Sequence, residues 1–152
     1  PVPAPRPDGV ISPAPRLGQL HPLAILLADD IPTNQRVAQL MLHRLGYSAD
    51  VVTNGREVLE ALARRTYDLV VLDVQMPELD GLATAREIVA RWPRERRPYL
   101  VAMTAHAREG DREQGLAAGM DEYLVKPVRF AEVERLLGEL VRRRGAPATG
   151  PG

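Results

Sequence analysis

Five short apolar runs alternate with five amphipathic stretches between residues 23 and 144, and this alternation restricts the fold more than any other feature of the chain. Leu23–Ala28 (LAILLA) and Leu69–Leu72 (LVVL) are continuous apolar runs of strand length, and Leu100–Met103 is a third. Ser48–Val52 and Tyr123–Val125 read as shorter strands. Between them, Thr33–Leu45 and Gly55–Arg65 repeat their apolar residues at helical spacing, and Leu82–Arg91, Arg108–Ala118 and Arg129–Arg143 read as helices. In the first helix Val37, Leu40, Met41 and Leu45 share one side, and Val58, Leu59 and Leu62 do so in the second. Gly46 and Gly119 stand where helices should stop. Strict alternation implies a parallel sheet with helices on both faces. Strands that are apolar throughout agree, because both of their faces must be covered. Right-handed crossovers then leave a doubly wound α/β sheet.

The flanks are different. Residues 1–22 carry Pro1, Pro3, Pro5, Pro7, Pro13, Pro15 and Pro22, and proline lacks the N–H and fixes φ. This stretch reads as an extended linker, and residues 145–152 read as a flexible tail. The folded unit is therefore expected over 23–144. No initiator Met is present, which suggests a segment of a longer protein. Without cysteine, disulfides and thiolate metal sites are excluded. Acids and bases balance at 20 each, so nothing suggests general attraction to nucleic acid or an anionic membrane. The arginines of 91–97 and 142–144 read as solvated charge. No apolar run approaches a membrane span, and there is no signal-peptide core, so a cytoplasmic setting is the default.

The chemistry is expected where the buried strands end. The first strand runs into Asp29-Asp30, the third into Asp73, the fourth into Thr104 and the fifth into Lys126-Pro127. Open α/β sheets bind ligands outside the carboxyl ends of their strands, where strand order reverses. In the order 2-1-3-4-5 the first and third strands are neighbours there, so Asp29, Asp30 and Asp73 should converge. Three clustered carboxylates need a cation to coexist ionised. An oxygen-only site suits Mg²⁺, with Mn²⁺ as a substitute. An Asp after a strand, a Thr at a strand end or a lone Lys is weak evidence by itself. Four such signals on one sheet edge are not.

On the segments ILLADD (25–30), VVLDVQMPELDG (70–81), MTA (103–105) and DEYLVKP (121–127), the sequence resembles the response-regulator receiver domains of two-component phosphorelays. ILLADD-IPTNQ, HRLGYSADVVTNGREVLEAL and MTAHA look most like receivers attached to hybrid sensor histidine kinases. The resemblance implies a flavodoxin-like (βα)5 fold with Asp73 as phosphoacceptor. It implies Mg²⁺ on Asp29, Asp30, Asp73 and the backbone carbonyl of Gln75. Thr104 matches the switch hydroxyl, Tyr123 the aromatic switch and Lys126 the lysine that pairs with the phosphoryl group. Pro127 stands where the family usually has a cis peptide. Gln75 and His106 match positions that flank the attacking water and tune phosphoryl lifetime. Pro77 and Gly81 shape the loop after Asp73, with Gly81 allowing a tight turn. A mild departure is Ala28, where a branched residue is commoner.

The implied partner is a histidine kinase or a histidine phosphotransfer domain, with no nucleic acid and no direct membrane contact. Oligomeric state stays open, a weak dimer included. A stand-alone single-domain regulator is the alternative context. An Asp-nucleophile phosphatase would need an acid/base carboxylate two residues beyond Asp73; Gln75 serves poorly, which argues for a phosphoacceptor rather than an enzyme with turnover. A degenerate interaction module would lack the acceptor or the lysine, and both are present.

Overall fold

The computed structural model describes residues 20–76, 78–105 and 109–148. In chain order the elements are β1 (Ile25–Ala28), α1 (Pro32–Arg44), β2 (Ala49–Val52), α2 (Gly55–Arg64), β3 (Leu69–Asp73), α3 (Gly81–Arg91), a 3₁₀ turn at Arg94–Arg96, β4 (Tyr99–Thr104), α4 (Glu109–Ala118), β5 (Glu122–Val125) and α5 (Phe130–Ala148). The strands form one parallel sheet, as the alternation predicts, in the order 2-1-3-4-5 of the flavodoxin-like fold that the resemblance implies.

The apolar strands split their side chains between two layers with period two. Ile25, Leu27, Leu69, Val71, Val101 and Met103 face α1 and α5, where Leu42, Leu45, Leu136 and Leu137 complete one core. Leu26, Ala28, Val70, Leu72, Leu100 and Ala102 face the other way, against Val58, Leu59, Ala85, Ile88 and Ala118 of α2, α3 and α4. β1 and β3 are buried along their whole length, so no residue of either is free to be polar until the strand ends.

Local signals fix the helix ends. Asn54 caps α2 by accepting from Glu57 N–H at 2.9 Å, and Asp80 caps α3 by accepting from Ala83 N–H at 2.8 Å. Gly46 (φ 88°) and Gly119 (φ 110°) end α1 and α4 in the left-handed region, as expected.

Two expectations are corrected. Val37 and Leu40 do not face the core; they are 47% and 61% exposed. α1 packs instead through Ala38, Met41, Leu42 and Leu45, a stripe at i, i+3, i+4 and i+7 that is offset from the one read in the sequence. α5 also continues to Ala148 rather than ending at Arg143. Glycine weakens a helix by about 1 kcal/mol but does not end one, and Gly145 is carried by the preceding run. At the other end, Tyr47 O–H donates to the His21 carbonyl at 2.6 Å, so the chain is tied to the domain just ahead of residue 23.

Candidate functional site

Because all strands are parallel, their carboxyl ends lie on one edge. Ala28 is level with Leu72, Asp73 with Met103, and Thr104 with Val125. The next residue along β1 is Asp29 and the next along β5 is Lys126. Burial of the apolar strands therefore delivers Asp29, Asp73, Thr104 and Lys126 to one place.

There, Lys126 Nζ donates to Asp73 Oδ2 at 2.8 Å and lies 3.7 Å from Asp29 Oδ2. Asp73 Oδ1 accepts from Gln75 N–H at 3.1 Å. Asp29 Oδ1 accepts from Ile31 N–H at 2.9 Å, and its main-chain carbonyl accepts from Gln35 Nε2 at 2.5 Å. Asp29 and Asp73 are buried, whereas Asp30 is exposed. One carboxylate oxygen from each of Asp29, Asp30 and Asp73 comes within 4.8 Å of the other two.

Charge is not balanced in this cluster. Three carboxylates face one ammonium, and Asp29 Oδ2 is buried with no hydrogen-bond partner. Burial pushes the Asp29 carboxyl above its usual range; the Ile31 N–H opposes that, the Asp73 charge adds to it, and Lys126 and Asn34 pull it back. An orphaned, buried carboxylate oxygen beside two further carboxylates is what a hard, oxygen-seeking divalent cation would satisfy. The residues present therefore fit Mg²⁺.

The cluster opens into a cleft of about 690 Å³ lined by Asp30, Asp73, Gln75, Thr104, Tyr123 and Lys126, with Ile31, Met76, Leu82 and Gln114 around them. Thr104 is buried at the end of β4, and its carbonyl accepts from Lys126 N–H at 2.7 Å. Tyr123 is half-buried. The Lys126–Pro127 peptide is cis, as the resemblance implied. Gly81 matters for a different reason than expected. The left-handed residue of the loop is Glu78 (φ 65°), while a Cβ on Gly81 would sit 2.5 Å from the Asp73 carbonyl oxygen. Gly81 thus lets the start of α3 press against the end of β3. His106 and Pro77 lie outside the described residues.

Some of the site escaped sequence reasoning. Asn34 and Gln35, one turn into α1, brace Asp29. Their signal is weak, since polar residues early in a helix are common. A stronger signal was available for Lys126, the only lysine in a chain whose other cationic side chains are arginines. Its compact ammonium stands where a point charge meets two buried carboxylates, Asp29 and Asp73.

The response regulator receiver domain family matches residues 25–137. The chain belongs to this family. Relatives include the aerobic respiration control sensor protein ArcB of Escherichia coli (strain K12), 45% identical over 109 residues, covering 72% of this chain and 14% of ArcB. The sensor protein EvgS of the same strain is 37% identical over 120 residues, covering 78% of this chain and 10% of EvgS. The receiver thus spans a small fraction of the curated relatives it matches. Among solved structures, the receiver domain of sensor histidine kinase PA1611 from Pseudomonas aeruginosa PAO1 is 41% identical, with a TM-score of 0.71 over 78% of this chain and 97% of that one. That structure has a magnesium ion coordinated in its active site cleft. A two-component response regulator from Clostridium difficile, at 23% identity and a TM-score of 0.74, shares the fold. This receiver is a two-component signalling domain. Among the described residues, no helix is long and apolar enough to cross a membrane.

Proposed function

We propose that Asp73 accepts a phosphoryl group from a phosphohistidine and that this receiver acts as one module of a sensor histidine kinase. The observation that carries the reading is the meeting of Asp73 and Lys126 in one cleft, with the buried, unsatisfied Asp29 oxygen 3.7 Å from the same ammonium. Asp73 is buried enough to be held still, with Oδ1 on a backbone N–H and Oδ2 on Lys126.

In the transfer, an Asp73 carboxylate oxygen attacks phosphorus. A P–O bond forms, the P–N bond to the donor imidazole breaks, and the imidazole nitrogen leaves with the electron pair. Charge develops on the phosphoryl oxygens, so catalysis here is positioning and electrostatic stabilisation. Lys126 supplies a point charge that shifts from the carboxylate to a phosphoryl oxygen. The Thr104 hydroxyl donates to another. Asp29, Asp30, Asp73 and the Gln75 carbonyl would hold Mg²⁺, or Mn²⁺ in its place, which when bound offsets charge on the phosphoryl group. Gln75 has its side chain exposed and supplies no acid or base. The acyl phosphate therefore persists as a signal instead of turning over. Thr104 drawn towards the phosphoryl group, with Tyr123 following, provides the readout by favouring one of two packings. The partners are the donor histidine kinase and a histidine phosphotransfer domain.

The test is transfer itself. A histidine phosphotransfer domain carrying labelled phosphohistidine should lose its label to this chain in Mg²⁺ buffer, as a hydroxylamine-sensitive acyl phosphate. Label that remains on the donor, or arrives in a hydroxylamine-resistant form, would overturn the reading.

A further inference from the structure

We infer that Gly115 is a positioning residue that forms the seat for the Tyr123 ring, and that it thereby sets how readily the domain takes up its phosphorylated packing. The second half of this inference rests on the reading of Tyr123 as the switch.

Gly115 lies in the interior of α4 (Glu109–Ala118), where glycine is costly relative to alanine because it surrenders more backbone freedom. Something must offset that cost. The backbone does not: Gly115 is helical, unlike Gly46 and Gly119 with their left-handed φ. What requires glycine is the ring of Tyr123. A Cβ on Gly115 would lie 2.2 Å from Tyr123 Cε1, 2.4 Å from its hydroxyl oxygen and 2.6 Å from Cζ. Outside the helix's own backbone these are the three nearest atoms, and all belong to the far end of the Tyr123 side chain. A ring on a rotatable side chain yields by turning. Alanine at 115 therefore leaves the sheet and helix in place and evicts the ring.

The seat is coupled to the site by position. Tyr123 lies in β5 three residues before Lys126, and its ring lines the same cleft as Asp73 and Thr104, beside Gln114 of α4. A ring that leaves Gly115 must take another place along that cleft, and any packing that uses the seat loses stability relative to one that does not. The chain carries its own control. Gly138, in α5, has nothing within 4 Å of an added Cβ. Gly138→Ala should raise the melting temperature through helix propensity alone and leave Tyr123 untouched.

The experiment compares Gly115→Ala, Gly138→Ala, Tyr123→Ala and Gly115→Ala/Tyr123→Ala. Tyrosine-labelled NMR reads the Tyr123 χ1 rotamer, and titration with beryllofluoride in Mg²⁺ reads affinity for a phosphoryl mimic. In Gly115→Ala the Tyr123 rotamer should change and the mimic affinity should shift threefold or more. The shift is upward if the seat belongs to the unphosphorylated packing and downward if it belongs to the phosphorylated one. In the Tyr123→Ala background Gly115→Ala should have no further effect on affinity. An unmoved ring in Gly115→Ala overturns the inference. So does an affinity shift that persists without the ring, or a ring that moves with no change in affinity while Tyr123→Ala does change it. If neither Gly115→Ala nor Tyr123→Ala alters affinity although the ring has moved, the switch reading of Tyr123 is what fails, and the coupling falls with it. Should Gly115→Ala not fold alone, recovery of folding in the double variant supports the steric conflict, and failure of both overturns it.

Discussion

Replacing Lys126 with methionine keeps the stem and removes the ammonium, which tests whether this cation holds the acidic cluster together. The ammonium lies 2.8 Å from Asp73 Oδ2 and 3.7 Å from Asp29 Oδ2. At an effective dielectric near 20 these attractions are about 6 and about 4.5 kcal/mol gross, against a repulsion of at least about 3.5 kcal/mol between carboxylates that approach within 4.8 Å. Much of the gross attraction only offsets the desolvation of the lysine. Protonation limits the loss further. Adding a proton to an unperturbed carboxylate costs about 5 kcal/mol at pH 7.5 and about 2 kcal/mol at pH 5.5, and less for Asp29, whose carboxyl burial already pushes up. The expected loss in metal-free Lys126→Met is therefore about 3 kcal/mol at pH 7.5 and no more than about 2 kcal/mol at pH 5.5. The sign follows from linkage. Burial already holds the Asp29 carboxyl above its usual range, and Lys126→Met removes the charge that pulls it back, so stability is greater at low pH and declines as pH rises through the folded pKa of Asp29. Added Mg²⁺ should recover most of the loss at pH 7.5. Urea unfolding in EDTA and in Mg²⁺, at both pH values, provides the assay, with Trp92 as a probe because it packs against the α3-side core. A metal-free variant within about 0.5 kcal/mol of the parent at pH 7.5 would refute the charge-balance argument.

Three further outcomes are expected. With a dissociation constant on the order of 1 mM, 10 mM Mg²⁺ should stabilise the parent by about 1.4 kcal/mol, or about 5 °C in melting temperature, and Asp29→Ala or Asp30→Ala should lose this response; a retained shift in both would remove them from the metal site. Burial pushes the Tyr47 hydroxyl up to about 12, so its neutral form contributes fully below the unfolded value and the contribution is lost as pH rises towards 12. Stability should fall by about 2 kcal/mol between pH 10 and 12, less so in Tyr47→Phe, with equal falls in both counting against the assignment. Decay of the acyl phosphate in Gln75→Ala and His106→Ala should change by about threefold, roughly 0.7 kcal/mol in the barrier, with phosphorylation still complete; unchanged decay in both and in the double variant would leave lifetime to the backbone.

The parts of this receiver that were legible in its sequence are those dictated by short-range rules. Continuous apolar runs named the buried strands, Gly46 and Gly119 named the helix ends, and the polar residues after each run named the site. Features that depend on how elements meet were less legible. Two apolar stripes are available on α1, and only the angle at which it lies on the sheet selects Ala38 and Leu42 over Val37 and Leu40. Asp29 and Asp30 are adjacent and chemically alike, yet one is buried with an orphaned oxygen and the other is exposed, because consecutive residues leaving a strand point to opposite sides. Gly115 and Tyr123 are separated by a helix end and a loop, so their contact has no local signature. Gly81 was legible as important but for the wrong reason: its role comes from the closeness of β3, which no spacing reveals.

The central claim is that Asp73 is the phosphoacceptor, and intact-mass spectrometry after incubation with acetyl phosphate and Mg²⁺ tests it most directly. The parent should gain the mass of one phosphoryl group, the gain should require the divalent cation, and Asp73→Asn should gain nothing. An Asp73→Asn protein that still acquires one phosphoryl group under the same conditions would contradict it.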